Sequence, residues 1–377
     1  MRQQELTYWV TLAFMPTIYT RRKNEIYAAC YTHTPQISIV ELFENTAIWI
    51  ELKLSETEIG IFQEAKSQLI NNAFLLENLL SQGYQIIPIT SPKYPRNLKS
   101  NLKMTAPIVL FAKGNIELLN RSSTAIVGSR NANDISLEFT CNVAKKECQN
   151  NQVIVSGFAK GVDKEALDAA IKVQGESIVV LPQGITTFTS GFKQLYKQII
   201  QGRVLVISHF HPKIPWRVEC AMERNKIIYG LADKTYVAQS DSHGGTWSGA
   251  IEGLRKGRTI FVRYPNKEEK NANLILIQKG ARAVNQFGNE IDLSPEETVS
   301  YEEIERKNIE SKIEAILTNG QKTIREIKEL LSINWTDDKL KKHLRTMQKI
   351  EECKIGNRLY FKSKTYANIQ ISLFDFS

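Results

Sequence analysis

Cysteine and histidine are both scarce in this chain, five of each among 377 residues. The cysteines at positions 30, 141, 148, 220 and 353 form no C-x-x-C pair and no spacing suited to zinc. Scattered thiols of this kind point to reduced cysteines in a cytoplasmic protein. His209 and His211 resemble half of a metal site, but no third ligand accompanies them, so no metal is expected. Long apolar runs are missing too. The stretch 9–19 is broken by Thr11 and Pro16 and is too short to span a bilayer, so it reads as a helix and no membrane association is expected.

Catalytic constellations are equally absent. There is no serine elbow and no Cys-His arrangement, so no catalytic residue is assigned. Asp163 and Asp168 could in principle serve as acid and base, yet Asp163 at a helix start is better explained as a cap. What the chain does have is a moderate basic excess, a formal net charge of +9 with pI ≈ 9.1. That excess favours a polyanionic partner without requiring one.

Three rhythms follow one another along the sequence. Residues 1–83 read as helical, with Ser38 and Glu41 opening one helix as a capping box. Ser55 and Glu58 open another over residues 55–83, where Ile59, Phe62, Ala65, Leu69, Phe74 and Leu79 keep helical spacing up to Gly83. From 84 to 294 the runs TAIVGS, VIVSG, SIVVLP, VLVIS, TYVAQS and TIFVR alternate with helical segments. Each run is apolar on both faces, which predicts an α/β fold, a doubly wound and mostly parallel sheet covered by helices on both sides. A charged stretch, 295–311, reads as a linker. Residues 312–377 then offer capped helices at Thr323 and Thr336 and two short strands turning at Gly356 and Asn357, the order of a winged helix.

In a doubly wound sheet ligands gather at the carboxyl ends of the strands, so the loops there are the candidate site. One loop is Gly128, Ser129 and Arg130. A second, SGFAKGVD, offers Ser156, Gly157, Lys160 and Gly161, where glycines would let backbone amides approach an anion beside a helix N-terminus. Ala159 and Val162 exclude the dinucleotide fingerprint, and Lys160 stands before rather than after the second glycine, which excludes a P-loop; no cofactor is expected. Arg224, Asn225 and Lys226, at the start of an apolar helix, could all reach one phosphate. Gly244 and Gly245 put a third glycine turn at a helix start, and Trp247 belongs either to the core, the favoured role, or to a base stack. The bland alternatives are tight turns and a solvated charge cluster. Two glycine loops on neighbouring strands, each with a cation, favour an anion site.

The ordered set of these pieces resembles the DNA-processing protein A (DprA, also called Smf) family. It runs through Tyr94 and Pro95, PIVLFAKG, AIVGSR, SGFAKGVD, VLPQGI, VISHFHP, ERNKIIYGL, the Gly245 loop with Gly257 and Arg258, and LIQKGARAV. The chain departs from the family pattern at Ala166–Leu167, at Ala221, Met222 and Glu223, and in GGTWSGA, as a divergent member would. The resemblance implies an extended Rossmann-like fold between an N-terminal helical domain of SAM or helix-hairpin-helix type and a C-terminal winged helix. It implies a dimeric, non-enzymatic binder of single-stranded DNA that acts in natural transformation, protects strands and helps load a RecA-type recombinase. Gly128, Ser129, Arg130, Ser156, Gly157, Lys160, Gly161, Arg224, Asn225 and Lys226 would then line the strand-binding pocket.

Residues 336–364 hold nine Lys and Arg against four Asp and Glu, a net of +5. Lys339, Lys342 and Arg345 are thus candidates for duplex or partner contact. Two other functions stay open: a sensor or hydrolase of a small nucleotide using the same pocket, and an adaptor docking through its C-terminal part.

Overall fold

Local capping chemistry opens two of the N-terminal helices, Ile39–Glu44 and Glu56–Ser67. Ser38 accepts a hydrogen bond from the Glu41 amide at 3.1 Å while Glu41 accepts one from the Ser38 amide at 2.8 Å. Ser55 and Glu58 repeat the arrangement. The computed structural model of the chain describes residues 3–266, 268–293, 301–318, 320–331, 333, 335–356 and 358–364, with the side chains of 301–308 outside that description. Two compact units result, Met1–Asp292 and Leu293–Ser377.

The larger unit begins with helices Gln3–Phe14, Thr20–Thr32, Ile39–Glu44, Ala47–Glu51, Glu56–Ser67 and Leu69–Ser81. The single helix expected over 55–83 is in fact two, divided at Gln68. The division re-aims the apolar stripe: Phe62, Ala65, Leu76 and Leu79 are buried, whereas Phe74 is exposed. Trp49, fully buried, donates its indole N–H to the Leu42 carbonyl at 2.6 Å. This core continues without interruption from Trp9 and Phe62 into Tyr84, Ile86 and the sheet.

Nine strands form that sheet: β1 Gln85–Pro88, β2 Val109–Gly114, β3 Ser123–Val127, β4 Val153–Ser156, β5 Ser177–Val180, β6 Val204–Ser208, β7 Lys234–Val237, β8 Thr259–Arg263 and β9 Arg282–Val284. Their spatial order is β1-β2-β6-β5-β4-β3-β7-β8-β9. From β6 to β9 every pairing is parallel, while β1–β2 and β2–β6 are antiparallel. The six apolar runs are β3 to β8, and β3, β4, β5 and β6 are buried along their whole length, as a sheet with helices on both faces requires. Order reverses at β3, whose neighbours β4 and β7 are reached by crossovers in opposite directions. That reversal opens a crevice beyond the carboxyl ends of β3 and β7.

The smaller unit has helices Tyr301–Thr318, Ile324–Leu331 and Asp337–Thr346 before an antiparallel pair, β10 Ile350–Ile355 and β11 Arg358–Ser363. The first of these helices covers much of the stretch 295–311 that reads as a linker in the sequence. Ile313, Leu317, Ile327, Leu340, Leu344 and Phe361 make its core. Thr323 pairs with Glu326 and Thr336 caps the next helix by accepting the Lys339 amide at 3.3 Å. Gly356, at φ 58°, stands at the turn, and Asn357 lies outside the described residues. No helix among the described residues is long and apolar enough to cross a membrane.

Candidate functional site

A cavity of ≈ 340 Å³ occupies the β3/β7 crevice. Gly128, Ser129 and Arg130 enter it from the turn after β3, and Ser240 and Asp241 from the turn after β7. Gly244, Gly245 and Thr246, the first turn of helix Gly244–Arg255, close one side. His243 precedes that helix without a side-chain cap bond, so the positive end of the helix faces the cavity uncapped. Close packing fixes these turns on one another. The Ser129 amide donates to the Gln239 carbonyl at 2.9 Å, and a side chain at Gly128 would come within 2.5 Å of Val162.

The SGFAKGVD loop has a different part from the phosphate cradle expected of it. The Ser156 hydroxyl is buried and donates to the Ile126 carbonyl at 2.7 Å. Gly157 is also buried: a Cβ there would lie 1.7 Å from Arg224 Nη1 and 2.3 Å from Asp163 Oδ2. Its glycine is explained by side chains packed against it rather than by a ligand. Lys160 and Gly161 lie outside the cavity. They share an adjoining groove of ≈ 450 Å³ with Arg130, Asn131, Lys164 and Glu165, so Arg130 borders both depressions.

Arg224 corrects the sequence reading most. Its helix runs Val218–Leu231, so residues 224–226 sit mid-helix and point three ways. Arg224 turns inward, where both terminal nitrogens lie 3.4 Å from Asp163 Oδ2 and Nη1 donates to the Val180 carbonyl at 3.2 Å. Asp163 is therefore a buried ion-pair partner in the first turn of helix Val162–Lys172 and not its cap, a position held by Gly161. Burial pushes the Asp163 carboxyl up from its usual value, while the Arg224 charge pulls against it. The Nε of Arg224 is buried and finds no hydrogen-bond partner among the described residues, and both side chains form part of the cavity wall. Asn225 faces the cavity, packed against Gly245. Lys226 is exposed outside it, on a groove shared with Glu219, Glu223 and Glu252.

Remaining candidates take plain structural positions. Asp168 pairs with Lys164, which separates it from Asp163 as an acid–base partner. Trp247 is half-buried against the core. His209 lies tilted against the Phe210 ring and 3.8 Å from Glu223, and His211 packs edge-on to Phe14. Among the described residues no group of three His, Cys, Asp or Glu is placed to hold a metal. In the smaller unit Lys339 lies 4.6 Å over the Trp335 ring, Arg345 makes a forked pair with Glu352 at 2.7 and 3.0 Å, and Lys342 is exposed.

Sequence reasoning missed the brace behind the cavity. Arg263, at the end of β8, donates to the Ala238 carbonyl at 3.1 Å and the Ser136 hydroxyl at 3.0 Å, and pairs with Glu269. Glu269 also accepts from Asn133 at 3.0 Å and from the Asn266 amide at 2.9 Å. Together they tie the turns after β3, β7 and β8. Burial works against the Glu269 charge, but Arg263, the Asn266 amide and Asn133 push its carboxyl from 4.5 down to about 2. With the folded value below the unfolded one, this stabilisation is full above about pH 4.5 and is lost as the pH falls towards 2. After allowance for solvent screening it amounts to roughly 2 kcal/mol. The Tm of wild type is expected to fall further between about pH 6 and pH 2.5 than that of Glu269→Gln; equal falls would contradict the assignment.

The sequence model of a family described as DNA recombination-mediator protein A matches residues 85–293, more than half of the chain. The DNA processing protein DprA of Bacillus subtilis (strain 168) is 33% identical over 226 residues, covering 59% of this chain and 75% of that protein. Its namesake from Streptococcus pneumoniae is 32% identical over 187 residues, covering 48% and 65%. A crystal structure of the pneumococcal protein superposes with a TM-score of 0.60 at 24% identity, over 74% of this chain and 94% of that one, a likeness of fold. The matched span holds the β3/β7 cavity and its brace, and the chain belongs to the DNA recombination-mediator protein A family.

Proposed function

We propose that the protein binds single-stranded DNA at the β3/β7 cavity, protects it, and helps load a RecA-type recombinase in the cytoplasm, acting as a homodimer without catalysing a reaction. The observation that carries this reading is the meeting of Arg130 with an uncapped helix N-terminus in a cavity open to solvent on the recombination-mediator part of the chain. A guanidinium and helix-end amides suit a phosphate. The adjoining groove, with Lys160 and Lys164 and bordered by the same Arg130, offers a place for the next phosphate along a strand. The three helices and hairpin of the smaller unit serve as a winged helix, with Lys342 free to meet duplex DNA or a protein partner.

Phosphate contacts act without regard to sequence and carry the salt dependence. Arg130→Ala is therefore expected to weaken binding to all oligonucleotides alike and to flatten the logarithmic salt dependence by about 0.7 for each phosphate it no longer neutralises. Lys226→Ala, on the acidic outer groove, is expected to do much less. Fluorescence anisotropy of labelled oligonucleotides measures both, and an unchanged affinity in Arg130→Ala would refute the placement of the site.

A further inference from the structure

We infer that Trp216 is a stacking platform for a nucleobase at the mouth of the β3/β7 cavity, next to the phosphate held by Arg130. This rests on the strand-binding reading and adds to it the part of the strand that carries the base. Trp216 lies in the loop between β6 and helix Val218–Leu231 and is 47% exposed. The Arg130 guanidinium lies over its ring, 5.7 Å from the centroid. Val218 and Met222, which line the cavity, are 60% and 42% exposed, so an apolar rim continues from the ring into the crevice.

Large apolar side chains left open beside the Arg130 guanidinium and an uncapped helix end need an occupant with both characters. A nucleotide within a strand has them: a π-face and an anion, joined by a sugar. The guanidinium is suited to bridging the two, because its face rests on an aromatic ring while its edge donors stay in plane for phosphate oxygens. Trp216 presents the rest of its exposed surface to the base beside that phosphate. Trp247, the aromatic that the glycine-turn sequence brings forward, is half-buried against the core and offers less ring for this purpose.

Stacking depends on the base, whereas phosphate contact does not, and that separates the two roles. The test compares a labelled oligothymidine with an abasic strand of equal length and phosphate count, for the full chain and for Trp216→Ala, Trp216→Leu and Trp216→Phe. The full chain should bind oligothymidine about fivefold or more tighter than the abasic strand, the effect of one stacked base. Trp216→Ala should erase that preference, weakening oligothymidine binding about fivefold or more beyond any loss on the abasic strand, with the salt slope kept on both. Trp216→Leu, which keeps apolar bulk in the loop, should erase it as well, and Trp216→Phe should retain most of it. Equal affinity of the full chain for both strands, or a weakening in Trp216→Ala that is the same on both, would overturn the inference while leaving backbone binding in place. Failure of the full chain to bind either strand would instead remove the strand-binding reading, and this inference with it.

Discussion

Asp163→Ala is expected to destabilise the larger unit by about 3–5 kcal/mol, the range for a buried pair deprived of one partner. Arg224 and Asp163 side chains are only 4% and 11% exposed, and the guanidinium cannot shed its proton to escape burial. Removing the carboxylate strands that charge, with the Val180 carbonyl as the one remaining partner for Nη1 among the described residues. The reverse change, Arg224→Met, is expected to cost less. Burial already pushes the Asp163 carboxyl up, and without the arginine it can take a proton and become neutral. Replacing both by apolar residues of similar volume should recover much of the loss. Calorimetric melting of the four proteins measures the order. A loss below about 1 kcal/mol in Asp163→Ala would mean that water reaches the pair and that its charge is not buried.

Gly161→Ala carries the second large effect, about 3 kcal/mol or more from strain and crowding together. At φ 85° and ψ −134° the backbone lies in a region reserved for glycine. A Cβ would also fall 2.5 Å from the Ser129 carbonyl oxygen and 2.7 Å from that of Arg130. Both neighbours are backbone atoms, so neither can swing aside, and the turn carrying Arg130 has to move. Gly244→Ala is the control: φ is similar at 84°, but nothing lies within 4 Å of the added carbon. It is expected to cost about 1 kcal/mol of strain alone. Denaturation midpoints compare the two stabilities, and equal losses would show that crowding between the two loops contributes nothing.

Local chemistry is the part of the fold legible in the sequence. Ser38, Ser55, Thr323 and Thr336 announce their helices because caps act within three residues, and β3 to β8 announce themselves as unbroken apolar runs. β9 has only three residues, and β1 ends in Pro88, so neither gives a periodic signal. The sequence points to a start near Arg224 for helix Val218–Leu231 because Arg217, its cap position, makes no side-chain cap bond. The break at Gln68 has no glycine or proline to mark it. At the candidate site, the turns after β3 and β7 are legible from their glycines and their place at strand ends. The Arg224–Asp163 pair is not, since its members are 61 positions apart and only the packed sheet brings them together. Trp216 is also silent in sequence: it sits in an aperiodic loop, and the arginine over its ring comes from another strand end.

Fluorescence anisotropy of a labelled oligothymidine with the full chain, repeated across a salt series and with a mononucleotide competitor, measures whether the β3/β7 cavity and its adjoining groove hold a strand. Each neutralised phosphate of a single strand contributes a logarithmic slope of about −0.7. A cavity and an adjoining groove gripping one backbone together predict a slope of roughly −2 to −4, with little displacement by the mononucleotide. No binding at moderate salt, or full displacement by the mononucleotide, would contradict the account and leave the β3/β7 cavity as the pocket of a small ligand.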